Sequence, residues 1–335
     1  MAYNSAMKFS WQNLKRPFFV LAPMEDVTDT VFRQIVFTNG GPDVFMTEFT
    51  NTDALVSKGK RNAMQRLLFT NQERPIIAQI WGIHPKNYYE SAKKIAEMGF
   101  DGIDINMGCP QRDVIKNGSC SALIKNHNLA KEIIDSVREG APHLPLSVKT
   151  RIGFSSIATE EWVGFLLEQD LDAITIHART VKEMSLVPAH WDEVLKTVKL
   201  RDASGMKTVV VGNGDVKNKQ DGLLKAKETG ADGIMIGRGI FHNLYAFRDD
   251  SDSWNSLTPQ KKIAILKNHV ILYDKTWSVN KKYPVLKKFF KIYINDFPNA
   301  SGIRSRFMET KSAKEAILLA DTLLSDPKAY FSSPA

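Results

Sequence analysis

Over the first 240 or so positions, apolar residues come in short unbroken runs; after that they recur only at helical spacing. The runs fall at 18–22, 43–48, 76–80, 102–106, 146–150, 173–177, 208–212 and 233–237, the length of buried strands. Amphipathic segments lie between them. In 128–139, Leu129, Ile133, Ile134 and Val137 share one face, with Asn128 as the expected N-cap and Gly140 as the expected stop. Eight such units, about 25 to 45 residues apart, describe an α/β protein built as a (β/α)8 TIM barrel. A doubly wound open sheet is the alternative, although no GxGxxG follows the first run.

Beyond Phe241 the period changes. Ile263, Leu266 and Val270, then Ala316, Leu319 and Leu323, keep helical spacing, and no comparable strand-like run follows. The expected organisation is a catalytic barrel over 1–248 and a smaller all-helical C-terminal domain over 257–335. The Asp- and Ser-rich stretch 249–259 is the expected linker.

Charge sharpens this division. The net charge is +8, yet residues 261–314 hold 13 Lys and Arg against three acids, a surplus of ten that leaves the remainder at −2. Such a block, interleaved with Tyr273, Trp277, Tyr283, Phe289, Phe290 and Tyr293, fits RNA better than a membrane surface. The adjacent Lys287 and Lys288 are candidate backbone-gripping groups. A solvated helical face over an aromatic core is the alternative. The first dozen residues lack the basic-then-apolar order of a signal peptide, and no run reaches the roughly 18 apolar residues of a membrane span, so a cytoplasmic protein is expected. Cys109 and Cys120 make no disulfide framework and are expected as reduced thiols, Cys120 as a small packed residue.

In a barrel, chemistry belongs at the C-terminal strand ends. Pro23 and Met24 follow the first run, Gln79 ends the third, and Asn106 and Cys109 end the fourth. Lys149 and Arg151 end the fifth, His177 and Arg179 the sixth, Gly212-Asn213-Gly214-Asp215 the seventh and Gly237-Arg238-Gly239 the eighth. Glycine-rich turns at the last two ends bare backbone N–H groups, and with Arg238 they form the usual barrel site for a phosphate monoester. Two tight turns without a ligand are the plainer reading. Lys149 suits an anionic ring, a phosphate or a rim salt bridge; His177 suits a proton donor, a phosphate contact or a core histidine. Pro110 keeps Cys109 out of the helical region, so the turn presents a thiol or buries one. No His or carboxylate pair at these ends has ligand spacing, so no metal is expected.

Taken together, Ala22-Pro23-Met24 with Val27-Thr28-Asp29, Asn106-Met107-Gly108-Cys109-Pro110, Lys149-Thr150-Arg151-Ile152-Gly153, His177-Ala178-Arg179-Thr180, Gly212-Asn213-Gly214-Asp215 and Gly237-Arg238-Gly239 closely resemble the tRNA-dihydrouridine synthases. The likeness spans about residues 17–245 and is weaker in the basic tail. It implies an FMN-binding barrel with a helical RNA-binding domain, which agrees with the division drawn from pattern and charge. By motif, Pro23, Met24, Gln79, Lys149, His177, Asn213, Gly214, Asp215, Gly237 and Arg238 would hold FMN, with Cys109 as the catalytic acid. The implied reaction uses NADPH to reduce the flavin, passes a hydride to C6 of a uridine in tRNA, and protonates C5 from Cys109. Asn106, Arg151, Arg179, Lys287 and Lys288 would face the RNA. One departure concerns the segment after His177-Ala178-Arg179-Thr180, where this chain runs from Val181 to Ala189 and on to His190-Trp191, unlike the Tyr-x-Gly and Ala-Asp-Trp pattern of many relatives. The rival readings are an FMN-dependent dihydropyrimidine or dihydroorotate dehydrogenase-like enzyme acting on a free base, and a non-catalytic RNA-binding barrel.

Overall fold

A computed structural model describes residues 8–331, so the outermost positions of both expected domains, and of the leader read above, lie outside the described residues. The strands are β1 (Phe18–Leu21), β2 (Phe45–Met46), β3 (Thr50–Asn51), β4 (Ile76–Trp81), β5 (Gly102–Met107), β6 (Leu146–Arg151), β7 (Ala173–His177), β8 (Val209–Asn213) and β9 (Gly233–Ile236). They pair in the order β1-β9-β8-β7-β6-β5-β4-β2, and a parallel bridge between Val20 and Val44 brings β2 back to β1. The expected (β/α)8 barrel is the architecture, with β3 a two-residue addition on β4.

Two local expectations change. The run 43–48 yields only a two-residue β2, because the Gln79 amide donates to the Thr47 hydroxyl (3.1 Å) instead of continuing the ladder to its backbone. The helix expected over 128–139 spans His127–Gly140. Its cap is Asn126, whose side-chain oxygen accepts from the Leu129 amide at 3.2 Å, and Asn128 lies inside the first turn.

Strand alternation divides the barrel interior into two levels. The lower level is apolar, with Trp11, Phe18, Val20, Met46, Ile77, Val209 and Met235 packed together. Toward the C-terminal ends the inward positions turn polar. There the register sets Asn106 beside Lys149, and Arg151 beside His177, which pairs in turn with Asn213. The sheet therefore gathers the candidate residues onto one rim.

After the barrel, helices Pro259–Trp277, Ala300–Glu309 and Ala313–Ser325 and shorter turns form the helical C-terminal part. It packs on the barrel through the helix Thr30–Thr38, where the Phe32 ring stacks on Phe289 at 4.9 Å and on Phe241 at 6.3 Å. The expected linker is packed as well. Trp254 is fully buried edge-on to Tyr245, and Asn243 donates to the Ser251 carbonyl at 2.9 Å. A single indole in a polar stretch is enough to pull it onto the core. No helix among the described residues is long and apolar enough to cross a membrane.

Candidate active site at the barrel mouth

The ends of β1, β6, β7, β8 and β9 surround a cleft lined by Ala22, Pro23, Met24, Lys149, His177, Asn213, Gly214, Asp215, Val216, Gly237, Arg238 and Gly239. Including its open mouth it measures about 590 Å³, within the range of small-molecule sites. Two backbone features make its floor. Gly214 has φ +137°, and a Cβ there would stand 2.8 Å from Ala189. Gly239 lies so close to the preceding turn that a Cβ would meet the carbonyls of Val216 and Lys217 at 2.6 Å. The turns after β8 and β9 are thus pressed together, which concentrates backbone N–H groups at that end of the cleft.

The side chains around it are mostly cationic or neutral donors. Burial, reinforced by Lys149, Arg151, Arg179 and Arg238, holds His177 well below its ordinary pKa, so the imidazole is neutral. Its Nδ1 is buried with no partner within the described protein. A neutral ring with an unmet nitrogen at a cleft leaves a place for a ligand hydrogen bond. Burial and the neighbouring Arg151 bring Lys149 down to about 8, with Asp104 opposing, so most of its charge survives at neutral pH. Arg238 is 60% exposed and gives one donor to Asp215 Oδ1 at 3.1 Å. Asp215, in the left-handed region at φ +53°, also pairs with Arg179 and accepts from the Ala189 amide at 3.1 Å. Its carboxylate orients cations; its backbone helps form the turn.

Cys109 lies across the mouth, past the end of β5. Asn106 Oδ1 accepts from the amides of Gly108 and Cys109, both at 3.0 Å, and so fixes the turn that exposes the sulfur. Asn106 is held in turn by Gln79 Oε1 at 3.2 Å, Gln79 donates to Asp104 Oδ2 at 2.7 Å, and Ser147 donates to Asp104 Oδ1 at 2.6 Å. Burial raises Asp104 to about 6. The neighbouring Cys120 thiol is the largest influence on Cys109, whose own thiol is lowered to about 7 against the effect of burial. The half-buried sulfur can therefore give up a proton near neutral pH.

A family model described as dihydrouridine synthase (Dus) matches residues 20–329. The chain belongs to the dihydrouridine synthase family. It is 45% identical over 314 residues to "Probable tRNA-dihydrouridine synthase 2" of Bacillus subtilis (strain 168), covering 93% of this chain and 95% of that one. It is 43% identical to "Probable tRNA-dihydrouridine synthase" of Staphylococcus aureus (strain COL), covering 93% and 94%. Among solved structures, a 2-naphthoyl-CoA reductase complexed with 2-naphthoyl-CoA matches with a TM-score of 0.54 at 11% identity, over 70% of this chain and 50% of that one. Histamine dehydrogenase from Rhizobium sp. 4-9 matches with a TM-score of 0.52 at 11% identity, over 76% and 48%. This chain thus spans about half of those longer proteins, and the likeness is one of fold.

Within this family member the cleft gathers nine of the ten residues expected around a cofactor, all but Gln79. Gln79 is fully buried beneath Asn106. The residues expected to face RNA fare differently. Arg151 spends its donors on the carbonyls of Gly108, Thr180 and Met184, each at 2.9 Å, and Arg179 is 2% exposed between Asp215 and the Val187 carbonyl. Both are structural cations that anchor the loop 181–189, which bends back over them. Asn106 serves the Cys109 turn. Lys287 donates to the Met308 carbonyl at 2.5 Å, and Lys288 to the carbonyl of Asp26 in the loop after β1, so each has a partner within the chain. Asp104 went unnoticed in the sequence, although alternation through Ile103, Asp104, Ile105 and Asn106 puts it on the inward face with Asn106. No group of three or more His, Cys, Asp or Glu that could hold a metal occurs among the described residues.

Proposed function

We propose that the protein is a tRNA-dihydrouridine synthase that uses FMN and NADPH to reduce the C5–C6 double bond of uridine in tRNA. The observation that carries this reading is the pairing, on one barrel mouth, of a cleft ending in two close glycine turns with a thiol held across from it. The donor set suits the cofactor. Arg238 and the turns 213–215 and 237–239 are suited to a phosphate, the unmet Nδ1 of His177 and the Lys149 ammonium to polar atoms of a flavin, and Pro23 and Met24 to its apolar surface. When bound and reduced by NADPH, FMN supplies the hydride that is added at C6 of the uridine.

The protein's own part is the proton. Cys109 gives its thiol proton to C5, so its S–H bond breaks as the C5–H bond forms, and the thiolate later takes a proton from water. With a pKa of about 7 the thiol is both substantially protonated and a ready donor at neutral pH. The chain Asp104, Gln79, Asn106 keeps the Cys109 turn in one geometry, and proton transfer depends on such positioning. A uridine in folded tRNA has to be turned out of its stack to reach a barrel mouth, and the basic helical part over 257–331 is suited to gripping the backbone while that happens. A tRNA substrate also fits a cytoplasmic protein.

The test is a map of dihydrouridine across the host's RNA with and without the gene. Loss of specific tRNA dihydrouridines is the expected result; an unchanged map contradicts the proposal.

A further inference from the structure

The loop after β7 carries two exposed large apolar side chains within three positions, Leu186 at 84% exposure and Met184 at 48%. Hydrogen bonds hold this loop along its length. Arg151 donates to the Thr180 and Met184 carbonyls, Arg179 donates to the Val187 carbonyl at 2.6 Å, and Glu183 accepts from the Thr180 amide at 2.8 Å while meeting His190 Nε2 at 3.0 Å. Within the tip, the Met184 amide donates to Val181 at 3.2 Å and the Leu186 amide to Glu183 at 2.9 Å. Met184 takes φ +52°, a left-handed backbone that is costly for a residue with a Cβ and that the bond from Arg151 to its carbonyl retains. Single exposed apolar residues are ordinary on a protein surface; two on one strained and anchored tip call for a contact.

The place of the tip indicates what it meets. The Arg151 guanidinium that holds Met184 also donates from Nε to the Gly108 carbonyl at 2.9 Å, next to Cys109. On the returning leg, the Ala189 amide donates to Asp215 at 3.1 Å and Trp191 Nε1 to the Gly214 carbonyl at 3.0 Å. The tip is therefore fixed both to the thiol side of the cleft and to its glycine-turn side. Lys182 beside it and Arg238 at the glycine turns are exposed, while Glu183 is turned onto Thr180 and His190, a balance that suits a phosphate backbone. We propose that Leu186, backed by Met184, is a wedge that enters the tRNA base stack where the target uridine leaves it. Extruding a base costs its stacking, and an apolar side chain inserted at the vacated step offsets that cost without reading the neighbouring bases. The proposal deepens the synthase reading and rests on tRNA being the substrate.

The experiment compares the full-length parent, Leu186→Ser and Leu186→Phe, with FMN and NADPH, on a tRNA transcript lacking dihydrouridine. A second transcript carries 2-aminopurine 3′ to the uridine that the parent reduces, so that its fluorescence reports unstacking at that step. Leu186 is exposed, so serine there leaves the core untouched. Leu186→Ser should lower kcat for dihydrouridine formation about tenfold, as expected when no apolar insertion offsets an unstacked step, and should abolish the fluorescence rise seen with the parent. Flavin reduction by NADPH and the salt slope of tRNA binding should keep the parent's values, because neither involves the wedge. Leu186→Phe, large and apolar, should form product at close to the parent's rate. A serine variant that matches the parent in kcat and in fluorescence, or a phenylalanine variant that fails as serine does, overturns the proposal. Failure of the synthase reading shows separately, as absence of product from the parent itself.

Discussion

Arg238 has a 60% exposed guanidinium steadied by Asp215, so a cation stands ready at the glycine turns instead of being buried within a loop. A charge-assisted hydrogen bond to a phosphate contributes about 1.5 to 3 kcal/mol. Arg238→Ala should therefore weaken FMN binding about tenfold or more, measured by fluorescence titration of the apoprotein. Undiminished affinity would move the phosphate away from these turns. Arg151 and Arg179 show what a sequence withholds at this scale. All three arginines lie at or just past strand ends, yet two end on backbone carbonyls of loops whose return path no motif encodes. The cleft residues were legible because strand ends of a barrel converge by construction. Asp104 was not, because a lone carboxylate between two isoleucines reads as an interruption until the register sets it beside Ser147 and near Lys149.

Among the elements, helix Pro259–Trp277 carries the clearest stability signal. His269 on it is 1% exposed, with its Nδ1 at 2.8 Å from the Tyr293 hydroxyl and its ring among Phe32 and Phe289. Burial lowers its pKa from 6.5 to about 4. Because the folded state binds fewer protons than the unfolded chain in that window, the contribution is fully present above about pH 6.5 and is lost as pH falls toward 4, by up to about 3 kcal/mol. His269→Phe should flatten the stability curve across that range in urea unfolding, and an unchanged acid limb would contradict this assignment. Strands and long helices were readable from periodicity here because their apolar faces are long. The short β2 and the packed segment 249–259 were not, since one hydroxyl at Thr47 and one indole at Trp254 decide them.

For the whole molecule, the distribution of charge and the attachment of the helical part belong together. Lys281 donates to Asp29 Oδ2 at 2.7 Å and Lys288 reaches the Asp26 carbonyl, so two cations of the basic block fasten it to the loop after β1. Under the proposed function, the RNA grip would fall to exposed cations such as Lys282 and Lys291. Each phosphate contact contributes a slope of about −0.7 to −0.9 in log affinity against log salt. Neutralising both lysines should flatten the tRNA-binding slope by up to two such increments and leave flavin reduction by NADPH unchanged; a parent-like slope would remove them from the interface. The proposed activity sets flavin chemistry and a thiol acid aimed at tRNA on one mouth. Its most direct test is to incubate tRNA lacking dihydrouridine with purified protein, FMN and NADPH, and to measure dihydrouridine by nucleoside mass spectrometry beside Cys109→Ala. The parent should form dihydrouridine, and the variant should still bind and reduce flavin but form about 10²–10⁴-fold less. Reduction of free uracil without tRNA, or equal product from both proteins, would contradict the account.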